Sequence, residues 1–239
     1  MLKNVLQSVL RAGVWLVCAA TMSSAAVAAT YGNAPTTYSW VDNTTHTDVT
    51  WAHAAGCSGG WNSANVDDDI STQIALPFTF TFGATAFNYV QVMSNGRLQF
   101  VGSATGTSYC GYGTQTVGPP PTYPYPYPDA NLSNTIRVYG ADFCPAGGGA
   151  GCSGRVTYKT LGATPYRTFV VTWSQMGEWN SGASLFNVQA ILYETSGDFV
   201  IQYKDIANYS QGTGQVGWQV STTDYDLFDM TSVNSLAYS

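Results

Sequence analysis

Acid–base chemistry in this chain would rest on a short inventory: two histidines, His46 and His53, two glutamates, Glu178 and Glu194, and a set of aspartates. A nucleophilic triad needs one of those histidines, an acid partner and a presented nucleophile, and no GxSxG turn supplies the last. His46, two residues before Asp48, reads as half of a solvated polar pair on a loop. Glycoside hydrolysis needs two carboxylates facing one another across a cleft. Glu178, in Met176-Gly177-Glu178-Trp179, reads as a Trp-flanked loop at the rim of a sugar site, whereas Glu194 falls at a hairpin tip. The chain is therefore expected not to be an enzyme. A secreted hydrolase using His53, His46 or Glu178 is the outlying alternative.

Two other chemistries fit better. Asp67, Asp68 and Asp69, in a row, offer the hard oxygen ligands that calcium takes, and so do Asp224, Asp226 and Asp229 near the end of the chain. Neither group has the spacing of an EF-hand loop, and aspartates also cap turns and keep sheet edges soluble. Recognition by aromatic rings is the second. Tyr123, Tyr125 and Tyr127 alternate with proline and should be held extended, and Trp179 stands next to Glu178. Flat rings stack on sugar faces at small entropic cost. The competing reading folds the three tyrosines back over a hydrophobic edge.

The elements that must position these residues are strands. In 76–83, Phe78, Phe80 and Phe82 alternate with threonine, which puts three large rings on one face. In 89–100, Val90 and Val92, then Leu98 and Phe100, flank Ser94-Asn95-Gly96, where Asn-Gly predicts a tight type I′ hairpin. Further strands are expected at 135–141, 155–160, 168–173, 186–194, 198–203 and 215–221, with a second hairpin turning at Ser196-Gly197-Asp198. Trp173 and Trp218 lie within alternating runs and should be core. No stretch carries a helical period of useful length. Regular short strands with turns between them predict a β-sandwich with long loops.

Residues 1–29 read as a secretory signal peptide: Lys3 and Arg11, an apolar run at 14–20, and small residues up to the cleavage site. That run is shorter than the roughly 20 residues of a membrane span, and no later segment approaches it. The remaining 30–239 suit one domain. Losing Lys3 and Arg11 moves the formal charge from −6 to −8, which disfavours nucleic acid and anionic lipid as partners. Charged residues make up 9% and aromatics 14%, a balance that suits strands and polar loops. Cys57, Cys110, Cys144 and Cys152 follow the leader, and an even number in an exported chain predicts two disulfides rather than zinc. Of three connectivities, Cys144 with Cys152 around a Gly-rich loop and Cys57 with Cys110 is favoured. The Pro- and Tyr-rich stretch 118–129 cannot donate ladder hydrogen bonds and reads as an inserted loop.

The order of these motifs resembles the extracellular nidogen-like domain and its bacterial relatives, whose LPFxFxFFG strand and YxxVxVSSNGxLxF hairpin stand here as 76–83 and 89–100. Similar pieces follow at 134–142, 154–158, 167–173 and 186–203, so that the resemblance spans about 67–220. It departs in having one phenylalanine before Gly83, four cysteines and the Pro-Tyr loop. The resemblance implies a secreted or cell-surface module of adhesion and matrix assembly with no catalytic site common to the family. A non-catalytic module binding a glycan or an extracellular protein is the expected function. The main alternative is a fibre subunit, in which the arm 30–40 or an exposed strand edge pairs with the next copy.

Overall fold

Strands form wherever the period-two pattern is clean, and they stack into two antiparallel sheets in the computed structural model, which describes residues 30–53, 66–102, 133–149, 151–179, 185–206, 215–229 and 235–238. The leader, Cys57, Cys110 and the stretch 118–129 lie outside the described residues. The first sheet, with six strands, contains β3 (Ile74–Phe82), β4 (Thr85–Met93), β5 (Arg97–Val101), β6 (Thr135–Gly140), β12 (Gln215–Ser221) and β13 (Asp224–Asp229), in the order β13-β12-β6-β5-β4-β3. The second contains β1 (Asn33–Pro35), β2 (Thr47–Asp48), β8 (Arg155–Leu161), β9 (Thr168–Glu178), β10 (Phe186–Tyr193), β11 (Phe199–Asp205) and β14 (Ser235–Tyr238), in the order β1-β14-β11-β10-β9-β8-β2. Short β7 (Phe143–Cys144) pairs with β9 off that path. No helix occurs among the described residues. The expected β-sandwich is the fold.

The threonine–phenylalanine alternation does what its period requires. Phe78, Phe80 and Phe82 are buried while Thr79 and Thr81 are exposed. Two of these rings meet Phe100 of β5, Phe80 at 5.1 Å and Phe82 at 4.9 Å between centroids, and Tyr31 stacks on Phe82 at 5.2 Å. Pro77 is tolerated because β3 is an edge strand and its pairing with β4 is irregular between Ala75 and Phe80. Trp173 and Trp218 are fully buried, as expected. Buried hydrogen bonds cross between the sheets: the indole Nε1 of Trp173 donates to the Met93 carbonyl at 2.8 Å, and the Tyr203 hydroxyl donates to the Val138 carbonyl at 2.6 Å.

Three local expectations are corrected. The 94–96 hairpin is a three-residue loop, Met93 opposite Arg97, in which Gly96 alone takes a positive φ of 76°. This is a turn ending in a left-handed glycine rather than type I′. A Cβ at Gly96 would lie 2.2 Å from the Tyr139 carbonyl oxygen, so the neighbouring strand leaves room only for glycine. Strand β9 runs five residues past Trp173, because a bulge at Gln175 (φ 55°) lets it continue: the Gln175 N–H is satisfied by the Asn187 side chain at 2.9 Å, and β7 then pairs with Gly177 and Glu178.

His46 is the third, being buried rather than solvated, while Asp48 faces Arg155 at 3.5 Å. Just before His46 in the chain runs a strap. Residues 39–43 cross the outer face of the second sheet over a lateral row in which Thr157, Thr172, Gln189 and Gln202 are neighbours on β8, β9, β10 and β11. The Gln189 side chain accepts from Val41 N–H at 3.2 Å and donates to the Val41 carbonyl at 3.0 Å. The Gln202 side chain accepts from Ser39 N–H at 2.9 Å. Glutamine amides thus stand in for the ladder of a missing strand.

Candidate functional site

The end of the sandwich where β9 finishes brings Asp67 and Asp68 close to the stretch that holds Glu178 and Trp179. A turn at Asp67-Asp68 packs beside the loop closed by Cys144 and Cys152, which form the favoured disulfide. Between β6 and β7 stands Asp142. Oxygens of Asp67, Asp68 and Asp142 lie within 4.8 Å of one another. Asp142 also accepts, through its main-chain carbonyl, the N–H of Trp179 at 2.9 Å. Asp142 therefore joins the carboxylate cluster to the main chain of Trp179.

Two of the predicted binding residues lie at the end of β9. Trp179 is 47% exposed, directly after the end of β9, and offers its ring to solvent. Glu178 is fully buried in β9 opposite Phe143, so it is no part of an accessible rim. The Met-Gly-Glu-Trp run gives no alternation from which that burial could be read. Gly177 is needed there, because the disulfide loop passes so close that a Cβ would meet the Gly151 carbonyl oxygen at 2.8 Å. Tyr123, Tyr125 and Tyr127 lie outside the described residues.

Of the aspartate run, Asp67 and Asp68 join the cluster and Asp69 turns away. Asp69 is buried, accepts from Ile70 N–H at 2.8 Å and meets His53 Nδ1 at 2.9 Å. Asp142 is the member missed by reading the run alone, since only the fold brings it there. The second acidic group serves the N-terminal arm: Asp224 accepts from Thr30 N–H at 3.0 Å, and Asp226 from the Asn33 side chain at 2.8 Å. That arm forms β1 against β14 of its own chain.

Electrostatics marks the cluster. Burial, reinforced by the charges of Asp68 and Asp142 and only partly offset by the Asp68 N–H, pushes the Asp67 carboxyl up to about 8. Asp68 is raised by burial, against the Asn95 amide that donates to it at 2.7 Å. Burial likewise raises Asp69, against the Ile70 N–H and His53. Like charges held together out of water favour either a retained proton or a cation among them. Three carboxylates are hard donors of the kind calcium selects, though its six to eight oxygens would have to include main-chain groups or water.

Among the described residues no helix is long and apolar enough to cross a membrane. No curated protein and no solved structure matches the chain. A family model described as NIDO related matches residues 30–238.

Proposed function

The chain belongs to the NIDO-related family, and from that premise we propose that it works outside the cell as a non-catalytic module that binds a glycan or an extracellular protein through the face carrying Trp179. The observation behind this reading is the exposed side chain of Trp179, whose main-chain N–H donates to the Asp142 carbonyl and so ties the residue to a member of the Asp67–Asp68–Asp142 cluster. An exposed aromatic whose main chain is fixed to a neighbouring loop offers a stacking surface at little ordering cost. The family coincides with the extracellular type that the strand motifs resemble. Calcium is the cofactor this reading admits, with Asp67, Asp68 and Asp142 as its carboxylate ligands, since a divalent cation would relieve their mutual repulsion.

The test is an array of glycans and extracellular-matrix proteins probed with the purified, oxidised protein, with and without calcium. Selective binding that Trp179→Ala weakens by at least about tenfold is expected, a loss of roughly 1.4 kcal/mol. Because Trp179 is exposed, its replacement should leave Tm unchanged, which separates lost binding from lost folding. A blank array together with concentration-dependent polymers under electron microscopy would replace this reading with the fibre subunit.

A further inference from the structure

The most exposed large ring among the described residues is not Trp179 but Tyr166, at 77%. It stands in the turn between β8 and β9, next to the turn between β10 and β11, and a cleft of about 320 Å³ opens between the two. Its lining residues are Tyr166, Thr168, Tyr193, Thr195 and Ser196, with the ion pair of Arg167 and Glu194. Since β9 begins at Thr168 and ends at Glu178, this cleft lies at the far end of that strand from Trp179.

We propose that the Tyr166 cleft is a second binding site, and that its ligand is a neutral saccharide. The walls are already fixed. Glu194 accepts from Arg167 N–H at 3.0 Å, from Nε at 2.9 Å and from the second guanidinium nitrogen at 2.5 Å, while the Glu194 N–H donates to the Arg167 carbonyl at 3.0 Å. Thr195 donates from its hydroxyl to the Pro165 carbonyl, and the Arg167 guanidinium rests over the Phe78 ring at 5.7 Å. Two turns clamped in this way need little ordering when a ligand arrives, which favours binding.

Charge selects the class of ligand. Each of the two ionised groups in the cleft has the other as its partner, and the bond to Arg167 holds Glu194 below the usual carboxylate range. An ionised ligand would therefore find no uncompensated opposite charge. A pyranose fits the surface that is left: its apolar face can lie on the tyrosine rings, and its hydroxyls can meet Thr168, Thr195, Ser196 and the outer lone pairs of Glu194. The volume is at the small end of ligand sites, enough for one or two sugar units rather than a long chain. This inference stands independently of the Trp179 face.

Titration of the oxidised chain, followed by NMR, with glucose, galactose, mannose, N-acetylglucosamine, cellobiose and lactose, and with glucuronate and glucosamine as charged controls, decides the matter. Saturable binding of at least one neutral sugar is expected, with shifts confined to 166–168 and 193–196. Tyr166→Ala should weaken it by about tenfold or more while Tyr166→Phe, which keeps the ring, stays near wild type. Trp179→Ala should leave it unchanged, so the two sites fail separately. A flat response to every neutral sugar at about 10 mM, well above the millimolar range of the weakest specific sites, overturns the proposal. So does binding that survives Tyr166→Ala, or a preference for the charged controls.

Discussion

Asp67 is where a single side chain most plainly shapes the behaviour of the protein. Its carboxyl ordinarily titrates near 3.8 and is pushed up to about 8 in the fold by burial and by Asp68 and Asp142. Between those values the folded chain keeps a proton that the unfolded chain gives up, so this residue's contribution is complete below about pH 4 and is lost as pH rises through 8. With a chelator present, Asp67→Asn should therefore raise Tm at pH 8 by at least roughly 1 kcal/mol, about 2–4 °C for a chain of this size, and change it little at pH 4. Scanning calorimetry at both values checks the sign. Added calcium should lift the wild-type Tm at pH 8 more than that of the variant if the cluster holds the ion. The sequence showed half of this site: Asp67 and Asp68 are adjacent in the chain, whereas Asp142 is delivered by the end of another strand. His46 was misread for the same reason, because nothing in its neighbours along the chain announces its burial.

At the level of elements, local alternation was legible and local termination was not. Strands β3 and β12 and the hairpin between β4 and β5 follow from spacing alone, since a residue pattern of period two admits few other solutions. The turn chemistry depends on what lies across from it. Gly96 illustrates this: its positive φ of 76° and the Tyr139 carbonyl make Gly96→Ala costly by roughly 2–4 kcal/mol, a fall in Tm of about 5–15 °C. Thermal denaturation measures this, and a fall below about 2 °C would mean that β6 yields to the new methyl group. Strand β9 was read too short because its continuation needs the Asn187 side chain to satisfy a bulge at Gln175. Such a bond between distant residues leaves no trace in the period of either strand.

Across the molecule, the aromatic core and the hydrogen bonds of Trp173 and Tyr203 hold the sheets face to face, and the Cys144–Cys152 loop backs the acidic end. Closing a loop of sequence separation 8 restricts the unfolded chain by about 2.5 kcal/mol in the chain-entropy account. Replacing both cysteines by serine should lower Tm by about 5–10 °C. It should also weaken binding at Trp179 more than at Tyr166, because only the first lies beside that loop. Calorimetry and the two titrations together separate the global effect from the local one.

The placement of β1 and β14 carries a mechanical meaning. They pair antiparallel with Asn33 opposite Tyr238 and Pro35 opposite Leu236, and β14 pairs onward with β11, Tyr238 opposite Phe199. Tension applied at residue 30 and at residue 238 therefore acts on adjacent strand ends. It would open the Thr30 and Asn33 contacts and then the ladder one rung at a time, as a zipper opens, instead of loading all rungs in shear. The first response to tension is thus a lengthening at one edge, while the strands that carry Trp179 and Tyr166 keep their places.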